Sequence, residues 1–388
     1  MKNLYFFNFK AHYGDLHYYR EFIKDIIHNM NYDEYYLLQH LPEKILSDIK
    51  ELKFDKINEN CFINETVYQI NNDIYINIHP GREIIERNLL TISEEISFKT
   101  LTLDYYYSIF SIIYTKLNIL ISNIQKYIPE IDYHCFDLTN IDNYLTDNNR
   151  YKVLISNGDC YTFQAPNAIN FTYIVEKLAD IFTDVDFILT DKLDTSNPNI
   201  LFTTDIIENE LPDLNEISYL STYCDFIVGK GSGPYCFTIT KDNIYNKDKN
   251  YIFITTNYLD GVYTNYNMCD KLWINNFDDD NIFEIIKNKI HKKIQFLNTK
   301  RNIQNIKIIR NENKIDFIST HDLYNITIRT FIDNNGDDKY DPAYSPFFEM
   351  IAKNYSYFFT MSRTLNEKSK IRLEFYFFQE LLHQIIIT

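Results

Sequence analysis

Positive charge is what this sequence is short of: 38 Lys and Arg face 54 Asp and Glu, a formal net charge of −16. Binding nucleic acid without regard to sequence needs a positive face, so the balance argues against that class of partner. It leaves room for an anionic small ligand held in a locally positive cleft. Cysteine pairs are missing too. The six cysteines (61, 135, 160, 224, 236, 269) form no C-x-x-C pair and no zinc spacing. They read as free thiols of a reduced, cytoplasmic protein, with Cys224 and Cys236 acting as small hydrophobes beside buried segments. The start, Met1–Lys10, is charged, but its apolar stretch is too short and too aromatic for a signal peptide. A membrane span is lacking as well. Tyr105–Ile124 comes nearest, yet Lys116 and Asn118 interrupt it where ~20 predominantly apolar residues are needed, so it reads as a largely buried helix. Internal repeats and long low-complexity tails are absent.

What is there in excess is aromatic: 33 Tyr and 29 Phe, beside abundant Asn, Ile and Lys. That is the drift of an AT-rich genome, so an aromatic stripe alone does not count here as a stacking platform. At 388 residues the chain has room for two or three domains with cores of their own. Leu4–Phe9 reads as a buried strand, and the turn Lys10–Asp15 follows. Leu16, Tyr19, Phe22, Ile23, Ile26 and Ile27 then recur at helical spacing. Glu34–Gln39 and Val67–Ile78 read as further strands. Glu83–Ile128 reads as helix in two pieces, broken near Thr91–Phe98. The polar run Thr139–Arg150 resembles a linker.

Beyond it the alternation is cleaner. Strands are expected at Tyr151–Ser156, Asp186–Thr190, Asn199–Thr203, Asp225–Gly229, Tyr251–Thr255 and Lys271–Ile274, with helices at Ile169–Phe182, Leu214–Tyr223 and Asn281–Leu297. Strands alternating with helices at this spacing predict a doubly wound parallel sheet. After Lys300 five short strands separated by polar turns predict a β-rich module. The fold class is therefore α/β: two Rossmann-like domains, 1–145 with a helical insertion and 150–300, followed by a β-rich module over 301–388.

The segment with most chemistry is Asp225–Phe237. Phe226, Ile227 and Val228 form an apolar run expected of a strand buried on both faces. Gly229, Lys230, Gly231, Ser232 and Gly233 follow, and Pro234 sits where helices begin. Strand, glycine-rich turn and helix start is a geometry that receives phosphate, because free N–H groups point at the anion.

Two Rossmann-like halves, one opening with a Gly-Asp turn and the other ending in a Ser-Gly-Pro turn, resemble a GT-B glycosyltransferase. The nearest type is the heptosyltransferase family of bacterial lipopolysaccharide synthesis. Lys10 through Gly14-Asp15-Leu16 is similar to that family's opening Lys…Gly-Asp-hydrophobic turn. Asp213–Ile217 through Asp225–Gly229 resembles its Leu-x-Glu helix and Cys-Asp, Val-Val-Gly strand. Ser232-Gly233-Pro234 resembles its donor turn. These stretches lie within residues 1–30 and 150–275. The sequence departs from the family by placing Lys230-Gly231 where Asp usually precedes the Ser/Thr-Gly, and Cys236 where a His often follows.

The resemblance implies a metal-independent, inverting transfer of sugar from a nucleotide-diphospho-sugar to a glycan or glycolipid, with no bound cofactor. Asp15 would be the base that takes the acceptor's proton; as plain turn chemistry it caps the following helix instead. Lys230, Gly231, Ser232, Gly233 and Pro234 would hold the donor diphosphate, with Lys230 a mobile charge at the rim. Asn157 would reach a phosphate or sugar hydroxyl, and Asp205 and Ile206 would line a nucleobase pocket. Lys10, His12, His79 and Arg82 are candidate acceptor contacts, each with a structural role as the blander reading. Asp184-Val185-Asp186 mimics an Asp-x-Asp metal motif but straddles a strand start, so no metal is assigned to it. Asp333–Asp341 resembles a calcium loop whose Gly336 comes too early and which lacks a closing Glu, so a turn between strands is favoured. Peripheral association with the inner face of the membrane and self-association through the C-terminal module stay open. So do three rivals: a polysaccharide pyruvyl transferase, a sugar-nucleotide epimerase, and a non-catalytic scaffold that binds glycan or protein.

Overall fold

The structure, a computed structural model, describes residues 1–9, 12–62, 64–80, 103–146, 149–159, 168–209, 211–254, 270–274, 276–304, 307–311, 314–318, 326–333, 341–342, 356–360, 370–377 and 380–387. The chain forms two compact units, residues 1–286 and 287–388.

The first unit contains two sheets. Strands β1 (Asn3–Phe7), β2 (Glu34–Leu38), β3 (Leu52–Asp55), β4 (Val67–Ile70) and β5 (Asp73–Asn77) lie in the order β3-β2-β1-β5-β4. All pair in parallel except β4, which runs antiparallel along β5. Asn71 closes that hairpin at φ 55°, a left-handed conformation that Asn tolerates. Helix α1 (Tyr13–Asn29) crosses from β1 to β2 and buries Leu16, Tyr19, Phe22, Ile23 and Ile26 against Leu4, Phe6 and Ile76 of the sheet. Helix α2 (Leu103–Leu117) packs on α1: Phe110 stacks on Phe22 with ring centroids 4.3 Å apart. The expected helix break near Thr91–Phe98 lies outside the described residues.

Where a linker was expected the chain forms α3 (Thr139–Thr146). An eight-residue helix needs few apolar positions, and here Ile141 is buried while Tyr144 donates its hydroxyl to Asp186 at 2.7 Å. The second sheet is wholly parallel and as expected. Strands β6 (Tyr151–Ser156), β7 (Val185–Leu189), β8 (Ile200–Phe202), β9 (Phe226–Lys230), β10 (Asn250–Ile254) and β11 (Asp270–Ile274) take the order β11-β10-β9-β6-β7-β8. Counted within this sheet that is the 3-2-1-4-5-6 order of a Rossmann fold. Its helices are α4 (Phe171–Ile181), α5 (Thr203–Ile207), α6 (Leu214–Thr222), α7 (Gly233–Phe237), α8 (Lys241–Ile244) and α9 (Asp279–Gln304), the last running on past this unit. Strands β6, β7, β9 and β10 are buried at every position, which is why they read as unbroken apolar runs rather than alternations. One continuous core draws Leu4, Phe6 and Ile76 from the first sheet together with Leu154, Ile227 and Tyr251 from the second.

The second unit is antiparallel β, as the sequence predicted. Strands β12 (Lys307–Asn311), β13 (Lys314–Ile318) and β16 (Ser356–Thr360) pair in the order β12-β13-β16. Strands β14 (Ile326–Asp333), β15 (Asp341–Pro342), β17 (Lys370–Phe377) and β18 (Glu380–Ile387) pair in the order β15-β14-β17-β18. Strands β3, β15 and β18 were not anticipated. The tip of the acidic loop, residues 334–340, lies outside the described residues. Among the described residues no helix is long and apolar enough to cross a membrane.

Candidate functional site

Each sheet of the first unit has a point where the chain reverses its direction of winding, and ligands of open α/β sheets bind beyond the strand C-termini there. In the second sheet the chain runs from β6 outward to β7 and β8, then returns to build β9, β10 and β11 on the other side. The reversal falls between β6 and β9, where Ser156 pairs with Gly229. A Cβ on Gly229 would lie 2.7 Å from Ser156 Cβ and 2.9 Å from Tyr235 Cδ2, so only glycine permits this approach. Just beyond, the hydroxyls of Ser156 and Ser232 share a hydrogen bond of 2.6 Å. In the first sheet the reversal falls between β1 and β5, whose C-terminal ends lead to His12 and His79.

The two edges meet. A Cβ on Gly14 would lie 3.2 Å from both Cβ and Sγ of Cys236, and a Cβ on Gly233 would come within 3.9 Å of Tyr13. The Gly-Asp turn at the start of α1 therefore sits against the Ser-Gly-Pro turn at the start of α7. Polar contacts fix this seam. His17, fully buried, stacks on Phe237 at 4.4 Å, and its Nε2 donates to the Ile239 carbonyl at 3.0 Å. A carbonyl only accepts, so Nε2 carries the proton; Nδ1 is buried without a partner among the described residues. Burial first, then the charge of Arg20, hold the imidazole far below its ordinary pKa, and it is neutral. Arg20, fully buried, pairs with Asp48 and donates to Ile45 O at 2.7 Å and Asn215 Oδ1 at 3.0 Å. Lys44 and Glu216 close the same side at 2.6 Å.

Asp15 lies in the first turn of α1 and does what the blander reading said: its Oδ2 accepts from the His12 backbone N–H at 2.6 Å. Its Oδ1 accepts from the Tyr106 hydroxyl at 2.5 Å. His12 itself is exposed, at the position before the helix. His79 stands nearby on the Asn77 side: its Nδ1 meets the Tyr19 hydroxyl at 2.5 Å, and its backbone N–H donates to Asn77 Oδ1 at 3.1 Å. Lys10 and Arg82 lie outside the described residues.

On the other side of the seam two expectations change. Lys230 is not at the rim: it ends β9, is 1% exposed, and lies 4.0 Å from Asp159 with its ammonium over the Phe171 ring. Lys230 is the last residue of an interior strand, and Phe171, which opens α4, comes to it from a distant segment, which the sequence could not show. Asn157 is not turned to a ligand. It donates to the Asp191 carbonyl at 2.9 Å and accepts from the Asp191 N–H at 3.0 Å, tying the ends of β6 and β7 together. The α7 helix has only five residues, so any anion at Gly231–Gly233 would be held by hydrogen bonds from the turn more than by a helix dipole.

Asp205 and Ile206 line a groove of about 500 Å³ with Tyr144, Arg150, Asp186 and Phe202. That groove is at the outer edge strand β8, three strands away from β9. Asp205 itself pairs with Lys192 at 2.6 Å. Asp186 of the Asp-x-Asp lookalike is buried and held by Arg150 at 2.5 Å and by Tyr144, a structural pair. Among the described residues no cluster of His, Cys, Asp and Glu could hold a metal ion.

Sequence reasoning missed three residues at this site. Ser156 and Tyr106 carried no local signal. Asp191 had one: an acid just past the second strand of a Rossmann half is where ribose hydroxyls are bound. Its carboxylate lies 2.9 Å from where a Gly158 Cβ would be, and burial, then Asp159, push its pKa up while Lys230 pulls it down. Asp213 is likewise raised, chiefly by burial.

No family model and no curated protein matches this sequence. Among solved structures the chain is similar to a glycosyl transferase family 9 protein from Veillonella parvula, at 10% identity and a TM-score of 0.44, over 74% of this chain and 89% of that one. It is also similar to E. coli heptosyltransferase WaaC with ADP, at 9% identity and a TM-score of 0.45, over 75% and 98%. E. coli ADP-heptose LPS heptosyltransferase II matches at 10% identity and a TM-score of 0.39, over 76% and 99%. The functional reading rests on the chain's own residues.

Proposed function

We propose that this chain is a glycosyltransferase that moves a sugar from a nucleotide-diphospho-sugar to a hydroxyl of a glycan or glycolipid, with inversion and without a metal ion. The observation that carries the reading is the meeting of two turns: the Gly14-Asp15 turn that opens α1 packs against the Ser232–Pro234 turn that opens α7, beside the two sheets' reversal points. The donor's diphosphate would lie on the backbone N–H groups around Gly231–Gly233 and the Ser232 hydroxyl, with Lys230 beneath offsetting the acids around it. Asp191 would take the ribose hydroxyls. The acceptor hydroxyl attacks the anomeric carbon as the bond to the diphosphate oxygen breaks, and Asp15 takes the hydroxyl's proton. His79 and His12 lie on the acceptor side. The C-terminal module would contact acceptor or a second copy.

The test begins with thermal shift of the full chain against UDP-, GDP-, ADP- and CMP-sugars. A ligand at a hundred times its Kd stabilises by about 2.7 kcal/mol, which is readily seen. The donor found is then incubated with glycan acceptors, with and without EDTA, and product mass and anomeric configuration are read. Asp15→Ala should abolish transfer while leaving donor binding intact; retained turnover removes Asp15 from the mechanism. A pyruvyl ketal or an epimerised nucleotide sugar would replace the reading with a sister activity. No nucleotide binding by well-folded protein would leave a scaffold.

A further inference from the structure

We propose that Tyr106 is a positioning residue for Asp15, its hydroxyl fixing the direction in which the carboxylate meets an acceptor hydroxyl. The inference rests on the reading of Asp15 as the base. Both carboxylate oxygens are engaged, Oδ2 by the His12 backbone N–H at 2.6 Å and Oδ1 by Tyr106 at 2.5 Å. Two donors on two oxygens stop the carboxylate from rotating about its last bond. Each oxygen keeps a second lone pair, and those point where a proton could be received.

Tyr106 is itself held. It is 2% exposed, its ring stacks on Tyr18 at 5.0 Å, and it meets Tyr19 edge-on at 5.3 Å. Helix α2, which carries it, is locked to α1 by Phe110 on Phe22 and by the Tyr114 hydroxyl on Asp25 at 2.7 Å. A phenol so placed stays protonated: burial first, then the charge of Asp15, push it well above its ordinary value. Tyr106 is therefore a donor throughout the range in which an enzyme works. The helix cap alone needs only the His12 bond, so the second donor has no part in capping. It serves the carboxylate.

The experiment compares full-length wild type, Tyr106→Phe and Asp15→Asn. Phe keeps the ring and its packing and removes only the hydroxyl. Nucleoside diphosphate release is followed with whichever of the UDP-, GDP-, ADP- or CMP-sugars shifts the melting curve. Tyr106→Phe should lower kcat by about ten-fold or more with the donor KM unchanged, because a carboxylate free to rotate is seldom aligned. The acid limb of its pH–rate profile should move to higher pH, since the ionised form has lost a donor. An unmoved acid limb, with a rate loss no larger than the loss of folded protein explains, overturns the proposal while an inactive Asp15→Asn keeps the functional reading. An active Asp15→Asn removes both. One arm needs no substrate: proton NMR of wild type should show a slowly exchanging phenol hydroxyl that vanishes in Tyr106→Phe and shifts in Asp15→Asn. Its absence shows that the bond is not made and sinks the proposal.

Discussion

Gly229→Ala tests the close approach of β6 and β9 at the second sheet's reversal point. Its new methyl would lie 2.7 Å from Ser156 Cβ, 2.9 Å from Tyr235 Cδ2 and 3.1 Å from the Ser156 carbonyl oxygen. Two of these atoms belong to a strand paired on both sides, so β6 and β9 must part rather than a flexible tip give way. Overpacking costs about 1–3 kcal/mol, and the rigid neighbours put this site high in that range. Loss of glycine's freedom in the unfolded chain offsets about 0.4–1 kcal/mol. The net is a destabilisation of about 2 kcal/mol, or roughly 4–8 °C in melting temperature for a unit of this size. The single tryptophan, Trp273 in β11, serves as the reporter, since β11 belongs to the same sheet. A second variant sharpens the test. Ser156→Gly removes the Cβ that the new methyl strikes, so in the double variant the two changes should couple favourably by roughly 1 kcal/mol. Rescue stays partial because the carbonyl remains. Wild-type melting of Gly229→Ala, or strict additivity in the double variant, would refute the close approach of β6 and β9.

Other outcomes follow from buried polar groups. His17 is held neutral in the fold, its pKa below the ordinary 6.5, so the unfolded chain binds a proton that the folded one refuses. Its contribution is complete above that value and is lost as pH falls through it, and melting temperatures measured from pH 8 to 5 should drop more steeply for wild type than for His17→Leu. Arg20→Met leaves Asp48 charged, buried and without its main partner, and should cost about 3–5 kcal/mol by urea titration, much of it recovered in Arg20→Met/Asp48→Leu. Lys249 donates to the carbonyls of Ser221, Thr222 and Cys224 at the end of α6, so Lys249→Met should cost about 2–3 kcal/mol and speed amide exchange in that helix's last turn. Unchanged stability and exchange in Lys249→Met would show that the carbonyls are satisfied in another way.

What the sequence disclosed and what it hid divide along a physical line. Strands covered on both faces must be apolar at every position, so β6, β7, β9 and β10 announced themselves and with them the parallel sheet. Turns need particular residues at particular places, so the Gly14-Asp15 and Ser232–Pro234 turns could be seen. Which groups a side chain finally meets is decided by packing between distant segments, and there the local reading failed. Lys230 looked like a rim charge because lysine usually is one; nothing in its own segment shows that its ammonium comes over Phe171 and is buried. Asn157 looked free because nothing in its own segment shows that Asp191, across β7, uses both ends of its amide. Helix α3 reads as a linker in the sequence because a short helix with one buried Ile141 has the composition of a loop. Tyr106 lay in a stretch whose apolar density said only that it was buried.

Glycine usage offered a signal that spans both halves. The chain has eight glycines, at 14, 81, 158, 229, 231, 233, 261 and 336, and five of them lie in the opening turn of α1, the turn after β6 and the segment from β9 to α7. Glycine is costly in a folded chain, and it is justified where a Cβ would forbid contact. Gly229 meets that condition against Ser156, while Gly14 against Cys236 at 3.2 Å and Gly158 against the Asp191 carboxylate at 2.9 Å are close approaches to side chains that would have to give way. These contacts join different partners, namely α1 to α7, the β6 turn to β7, and β6 to β9. The spacing of β6 and β9 is thus set close to the backbone, at Gly229 and Ser156. The seam is filled by His17, Arg20 and Asn215, whose bonds run from α1 to the second sheet's helices and turns. A hinge between the two sheets would have to break all of these together while exposing Arg20 and Asp48, both fully buried. The geometry that brings Asp15 to the Ser232 turn is consequently built into the packed state, before any ligand arrives.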